Sequence, residues 1–77
     1  MEYDYSKLKG RIVELFGTFS AFAFAMGFSE RTLSLKINNR VPFKQPEIQK
    51  AIVVLNLKEK DILPYFFTQK VQNIEQN

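Results

Sequence analysis

The sequence predicts an all-α fold, a compact bundle of about five short helices, on three observations. Apolar residues recur at spacings of three and four in successive short blocks. Gly, Asn, Ser, Thr and Pro stand at the ends of those blocks, where helix caps and breaks require them. Alternating apolar and polar runs, the mark of half-buried strands, are nearly absent.

The first block opens near Asp4 or Ser6, both residue types able to cap a helix N-terminus. It carries Tyr5, Leu8, Ile12, Leu15 and Phe16 as one apolar stripe. Gly10 costs it some helix propensity, and Gly17 ends it. Thr18 caps a second, shorter helix whose inward positions are Phe19, Phe22, Ala23 and Met26. Gly27 breaks that helix, and Phe28 enters the core from the turn. Ser29 caps the third helix, with Leu33 and Ile37 as its buried pair and Asn38-Asn39 as its end, because asparagine tolerates the left-handed conformation. Val41-Pro42-Phe43 reads as extended loop. Pro46 suits the first turn of a fourth helix with Ile48, Ala51, Ile52 and Leu55 inward and Asn56 closing it. A last turn from Lys58 to Leu63 is expected to stop at Pro64, followed by Tyr65-Phe66-Phe67. These blocks make one folded unit over residues 1–68 and leave a polar tail over 69–77.

Composition narrows the function. The chain has 77 residues, 45% of them hydrophobic, enough for one modest core. It has no cysteine and no histidine. Disulfides, thiolate metal sites and His-dependent nucleophilic catalysis are therefore excluded, and no metal or other cofactor is expected. Glu14, Glu47, Glu59 and Asp61 are scattered on solvent faces without pairing, so the chain is not expected to be an enzyme. No small-molecule ligand is expected either. The start, Met1-Glu2-Tyr3-Asp4, lacks the pattern of a signal peptide, and no apolar stretch is long enough to span a membrane. A cytoplasmic protein is the resulting expectation. Net charge is +3, but the window from Arg31 to Lys44 holds Arg31, Lys36, Arg40 and Lys44 and no acid. That window carries +4 and the remainder sums to −1, a localised basic surface of the kind that meets polyanions.

The run from Gly17 to Asn39 is a short helix, a glycine turn and a second short helix, the helix-turn-helix layout. Ala23, Gly27, Ser29, Thr32, Leu33 and Asn38 in this run resemble the λ-repressor-like class of helix-turn-helix proteins, the XRE and Cro regulators common in bacteriophages. Ser29 to Asn39 is similar to a serine-x-x-threonine-leucine-serine-x-lysine-x-asparagine string of a regulator subgroup from phages of Gram-positive hosts, and the similarity runs from Tyr5 to about Phe67. The resemblance implies a λ-repressor-like DNA-binding domain and a transcriptional regulator that recognises a double-stranded operator, palindromic and bound by a homodimer.

With Leu33 at the inward pole, Ile37 lies about 40° away and Arg31, Leu35 and Asn38 point outward at roughly 140–200°. By the resemblance, Ser29, Glu30, Arg31, Ser34 and Leu35 would meet base edges in the major groove. Thr18, Thr32, Lys36, Asn38, Asn39, Arg40 and Lys44 would hold phosphates. Two positions depart from the family. Phe19 stands where it usually has a phosphate-binding glutamine, and Phe24 where it usually has a polar residue. Phe24 lies about 140° round the helix from Phe19, off the buried stripe, and packing against the C-terminal aromatics is favoured over a dimer interface. Tyr65-Phe66-Phe67 either closes the core or presents a self-association surface. The alternative function is a protein-interaction module, anti-repressor or antitoxin-like, whose distinguishing feature would be the Phe-rich second helix.

Overall fold

The structure, a computed structural model, describes residues 2–71. Five α-helices follow in order: α1 (Ser6–Phe16), α2 (Phe19–Met26), α3 (Glu30–Ile37), α4 (Gln45–Val54) and α5 (Ile62–Phe66), with a 3₁₀ turn at Glu59–Asp61 before the last. The expected all-α bundle is therefore what the chain forms. α1 packs on α2 and α5, α2 also on α3 and α4, and α5 also on α4.

Three helices end in one and the same way. At the end of α2 the Phe28 N–H donates to the Ala23 carbonyl (2.8 Å) and the Gly27 N–H to that of Phe24 (3.1 Å). The ends of α3 and α4 repeat this pair of bonds, from Arg40 to Leu35 and Asn39 to Lys36, and from Leu57 to Ile52 and Asn56 to Val53. Each places one residue in the left-handed region, Gly27 at φ 79°, Asn39 at 64° and Asn56 at 55°. This Schellman arrangement satisfies carbonyls that a helix end leaves open, and it needs glycine or asparagine there. The starts are equally local. Thr18 Oγ1 accepts from the Ala21 N–H and Ser29 Oγ from that of Thr32.

Two boundaries differ from expectation. Asp4 and Ser6 do not cap α1. Asp4 Oδ1 accepts both the N–H and the hydroxyl of Ser6, which draws the exposed carboxyl below its usual value, while buried Tyr5 takes the cap position. Pro64 does not stop the last turn. It sits within the first turn of α5, where its missing N–H costs nothing.

The core joins Leu8 and Ile12 of α1, Phe22, Ala23 and Met26 of α2, Leu33 and Ile37 of α3, Ala51 and Leu55, and Phe66. Leu15, expected in the α1 stripe, is 45% exposed. Phe66 settles the reading of the C-terminal aromatics: it is fully buried and closes the core, with Tyr65 packed partly against it. Edge-to-face contacts link Phe66 to Phe43, Phe43 to Tyr5, and Tyr3 to Phe67, at centroid separations of 5.4, 5.4 and 5.6 Å. The N-terminal segment is clamped from two sides. Asn39 donates to the Tyr3 carbonyl and accepts from the Tyr3 N–H, while the Asp4 N–H donates to the Thr68 carbonyl and the Lys70 N–H to that of Glu2. Tyr3 and Gln69 form an isolated antiparallel bridge. Of the expected tail, 72–77 lies outside the described residues. Among the described residues no helix is long and apolar enough to cross a membrane.

Candidate protein-interaction surface

The outer surface of α2 presents the most exposed aromatic side chain among the described residues. Phe24 is 87% exposed, so the expected cover by the C-terminal aromatics does not form. Phe66 and Tyr65 turn to the core side of α5 and Phe67 meets Tyr3 edge to face. Phe24 sits off the stripe of Phe22, Ala23 and Met26, one turn beyond Ser20. Phe19, placed on the inward stripe by its spacing, is 40% exposed and stands beside a groove between the two helices. The groove holds about 230 Å³, has Leu33 and Ile37 in its lining, and is bordered by Glu30, Ser34 and Asn38. Its lining is predominantly apolar.

The residues expected to read bases share the outer face of α3, yet several are already engaged. Glu30 accepts a hydrogen bond from the Ser20 hydroxyl at 2.7 Å, which ties the start of α3 to α2. Ser29 serves as cap and also donates to Thr32 Oγ1. Asn38 donates back to the Ser34 carbonyl at 2.9 Å. Arg31 is exposed, and Leu35 is half-buried at the end of the helix.

The expected phosphate contacts divide more sharply. Lys36 is not a surface cation: it is 3% exposed. Its ammonium pairs with Glu47 Oε1 at 2.9 Å, donates to the Pro42 carbonyl at 3.1 Å and lies 5.5 Å from the Phe28 ring centroid. Burial of this pair pushes the Glu47 carboxyl up, but the Lys44 N–H and the Lys36 ammonium outweigh that and hold it below its ordinary value. Asn39 is corrected in the same sense, since both ends of its amide are bound to the Tyr3 backbone. Thr18 and Thr32 are bound within the helix starts they stabilise. Arg40 and Lys44 alone of this group keep exposed, unengaged side-chain charges among the described residues. The basic window is thus a surface of three cations, Arg31, Arg40 and Lys44.

Other cations that sequence reasoning missed are also structural. Arg11 donates to the Leu55 and Asn56 carbonyls at the end of α4, and Lys50 to that of Met26 at the end of α2. Both place positive charge where a helix C-terminus favours it.

A family model matches residues 1–69, the family being described as proteins of unknown function, DUF739. The chain belongs to the DUF739 family. Among solved structures it is similar to the modulator of repression of the temperate bacteriophage TP901-1 from Lactococcus lactis, determined in solution. The identity is 56% over 94% of this chain and 97% of that one, with a TM-score of 0.78. No curated protein matches.

These findings overturn the assignment to the Cro and λ-repressor class, and with it the reading as an operator-binding regulator. The relative in hand modulates repression, and the family is DUF739. The resemblance misled for a physical reason. Ala23, Gly27, Ser29 and Leu33 set the crossing, the turn, the cap and the buried contact of a helix pair. They say nothing of what its outer face touches. The two departures, Phe19 and Phe24, are both exposed aromatics of α2, Phe19 beside the groove and Phe24 about 140° round the helix from it.

Proposed function

We propose that this DUF739 protein is a modulator of repression that acts by binding a repressor protein, with the outer face of α2 and α3 as its contact surface. The relationship to the TP901-1 modulator, which extends over nearly the whole of both chains, carries the reading. The exposure of Phe24 supports the choice of face. A phenylalanine this exposed adds nothing to the stability of a small domain, whereas in an interface an aromatic of this size is the usual anchor. Binding is the whole of the activity on this reading: occupying the repressor changes its action on its operator without any chemical step.

The test is titration of the purified protein into the repressor encoded in the same genome. Full burial of a Phe side chain is worth about 1.5–3 kcal/mol, so Phe24→Ser should weaken binding by roughly 10- to 150-fold. Its thermal stability should stay within about 0.5 kcal/mol of the parent, because the side chain packs on nothing. Unchanged affinity in a folded Phe24→Ser variant would remove this face from the proposal.

A further inference from the structure

Two features of the α2–α3 face adjoin each other. The apolar groove with Phe19, Leu33 and Ile37 ends at Ser34 and Asn38, and the same two residues border a polar hollow that runs to Arg31 and Arg40. At about 230 Å³ the groove is below the roughly 300–1,000 Å³ of small-molecule sites, and it suits one or two protruding side chains. A segment that leaves the groove across Ser34 and Asn38 meets the two arginines.

Those arginines differ from the cations that the fold pairs with carboxylates. Arg11, Lys36 and Lys70 each have a carboxylate within 3.2 Å. Arg31 and Arg40 are exposed and have none among the described residues. Two acids lie near them: Glu30, which keeps its charge while accepting from the Ser20 hydroxyl, and Glu2, which lines the same hollow and pairs with Lys70 at 3.2 Å. The face therefore offers an apolar socket flanked by two guanidinium groups with no carboxylate within 4 Å among the described residues, whose planar donors favour carboxylates in paired geometry.

Resting on the protein-binding reading above, we infer that the partner's docking segment is amphipathic and acidic. It places a bulky apolar side chain in the α2–α3 groove and carboxylates on Arg31 and Arg40. The apolar side chain supplies desolvated contact, and the charges supply register and a fast, salt-sensitive encounter.

Calorimetric titration of the repressor from the same genome, from about 50 to 200 mM salt, tests this with three variants. The parent should lose affinity as salt rises. Arg31→Glu with Arg40→Glu should weaken binding about tenfold or more at low salt and flatten the salt dependence. Reversing the facing Asp or Glu of the repressor to Lys should restore it. Neither arginine side chain bonds to the rest of the described fold, so circular dichroism should show the double variant folded. Unchanged affinity and salt slope in that variant, with binding lost in Phe24→Ser, would overturn the acidic-segment inference and leave the protein-binding reading standing. Loss of binding in neither variant would overturn both. A double variant whose loss matches a change in self-association, seen by sedimentation without the repressor, would assign the arginines to a second copy and also overturn the inference.

Discussion

Replacing Lys36 with methionine removes a charge from the interior while keeping most of the side chain's apolar stem. In the parent, the ammonium makes an ion pair with Glu47 (2.9 Å), a hydrogen bond to the Pro42 carbonyl (3.1 Å) and cation–π contacts to Phe28 and Phe43. Removing one partner of a fully buried pair costs about 3–5 kcal/mol, chiefly because the other charge is stranded. Glu47 is not fully stranded here. Its side chain is 21% exposed, and Oε1 still accepts the Lys44 N–H at 2.8 Å. The cost should therefore fall to about 1–3 kcal/mol, the range of a single charged hydrogen bond. At about 4–8 °C per kcal/mol for a domain of this size, Lys36→Met should melt roughly 5–20 °C below the parent. Lys36→Ala should lose more, since it also empties the space between Phe28 and Phe43. Combining Lys36→Met with Glu47→Gln should recover part of the loss.

The pair also sets a pH dependence. The Glu47 carboxyl is held below its unfolded value, so its contribution is complete above the unfolded carboxylate pKa and is lost as pH falls through the lower folded one. The parent should lose stability over that acidic window, and Lys36→Met should lose less over the same interval. Urea unfolding from neutral pH downward measures both effects. A Lys36→Met variant as stable as the parent at neutral pH, or with an identical acid dependence, would mean that the buried pair does not stabilise the fold.

Asn39→Ala breaks both hydrogen bonds to Tyr3 and forces alanine into the left-handed region, at a cost of about 2–4 kcal/mol. Asn39→Gly relieves the strain and should recover about 1 kcal/mol, as urea midpoints will show. The two glycines of opposite role separate cleanly. Gly10→Ala lies in mid-helix with nothing within 4 Å of the added carbon and should stabilise by about 0.5–1 kcal/mol. Gly27→Ala, at φ 79°, should destabilise by roughly 1–2 kcal/mol in the same thermal scan.

Helix limits were largely legible because single residues encode them. Thr18, Gly27, Ser29, Asn39, Pro46 and Asn56 each satisfy a local backbone need that no distant contact can alter. The side chains that depend on tertiary neighbours were harder. Lys36 lies about 60° from Leu33, on the inward half of α3, but its charge suggested a surface role. The partner that makes its burial tolerable, Glu47, is on a different helix. The spacing puts Phe24 off the buried stripe, where the structure has it, but the rule that a small domain covers its aromatics fails at this residue. The function was least legible. A turn and cap pattern describes how two helices are held, and the same frame serves a surface for DNA or for protein. The signal that separates them was present in Phe19 and Phe24, two aromatics where a DNA-reading helix pair carries polar groups.

The most direct test of the central claim adds the protein to operator DNA, once alone and once with the repressor of the same genome already bound, and follows both by fluorescence anisotropy. Action through the repressor means no sequence-selective binding to the free operator and a dose-dependent change in the repressor–operator complex that Phe24→Ser abolishes. Selective binding to the free operator, unaffected by Phe24→Ser, with no effect on the repressor complex, would contradict it.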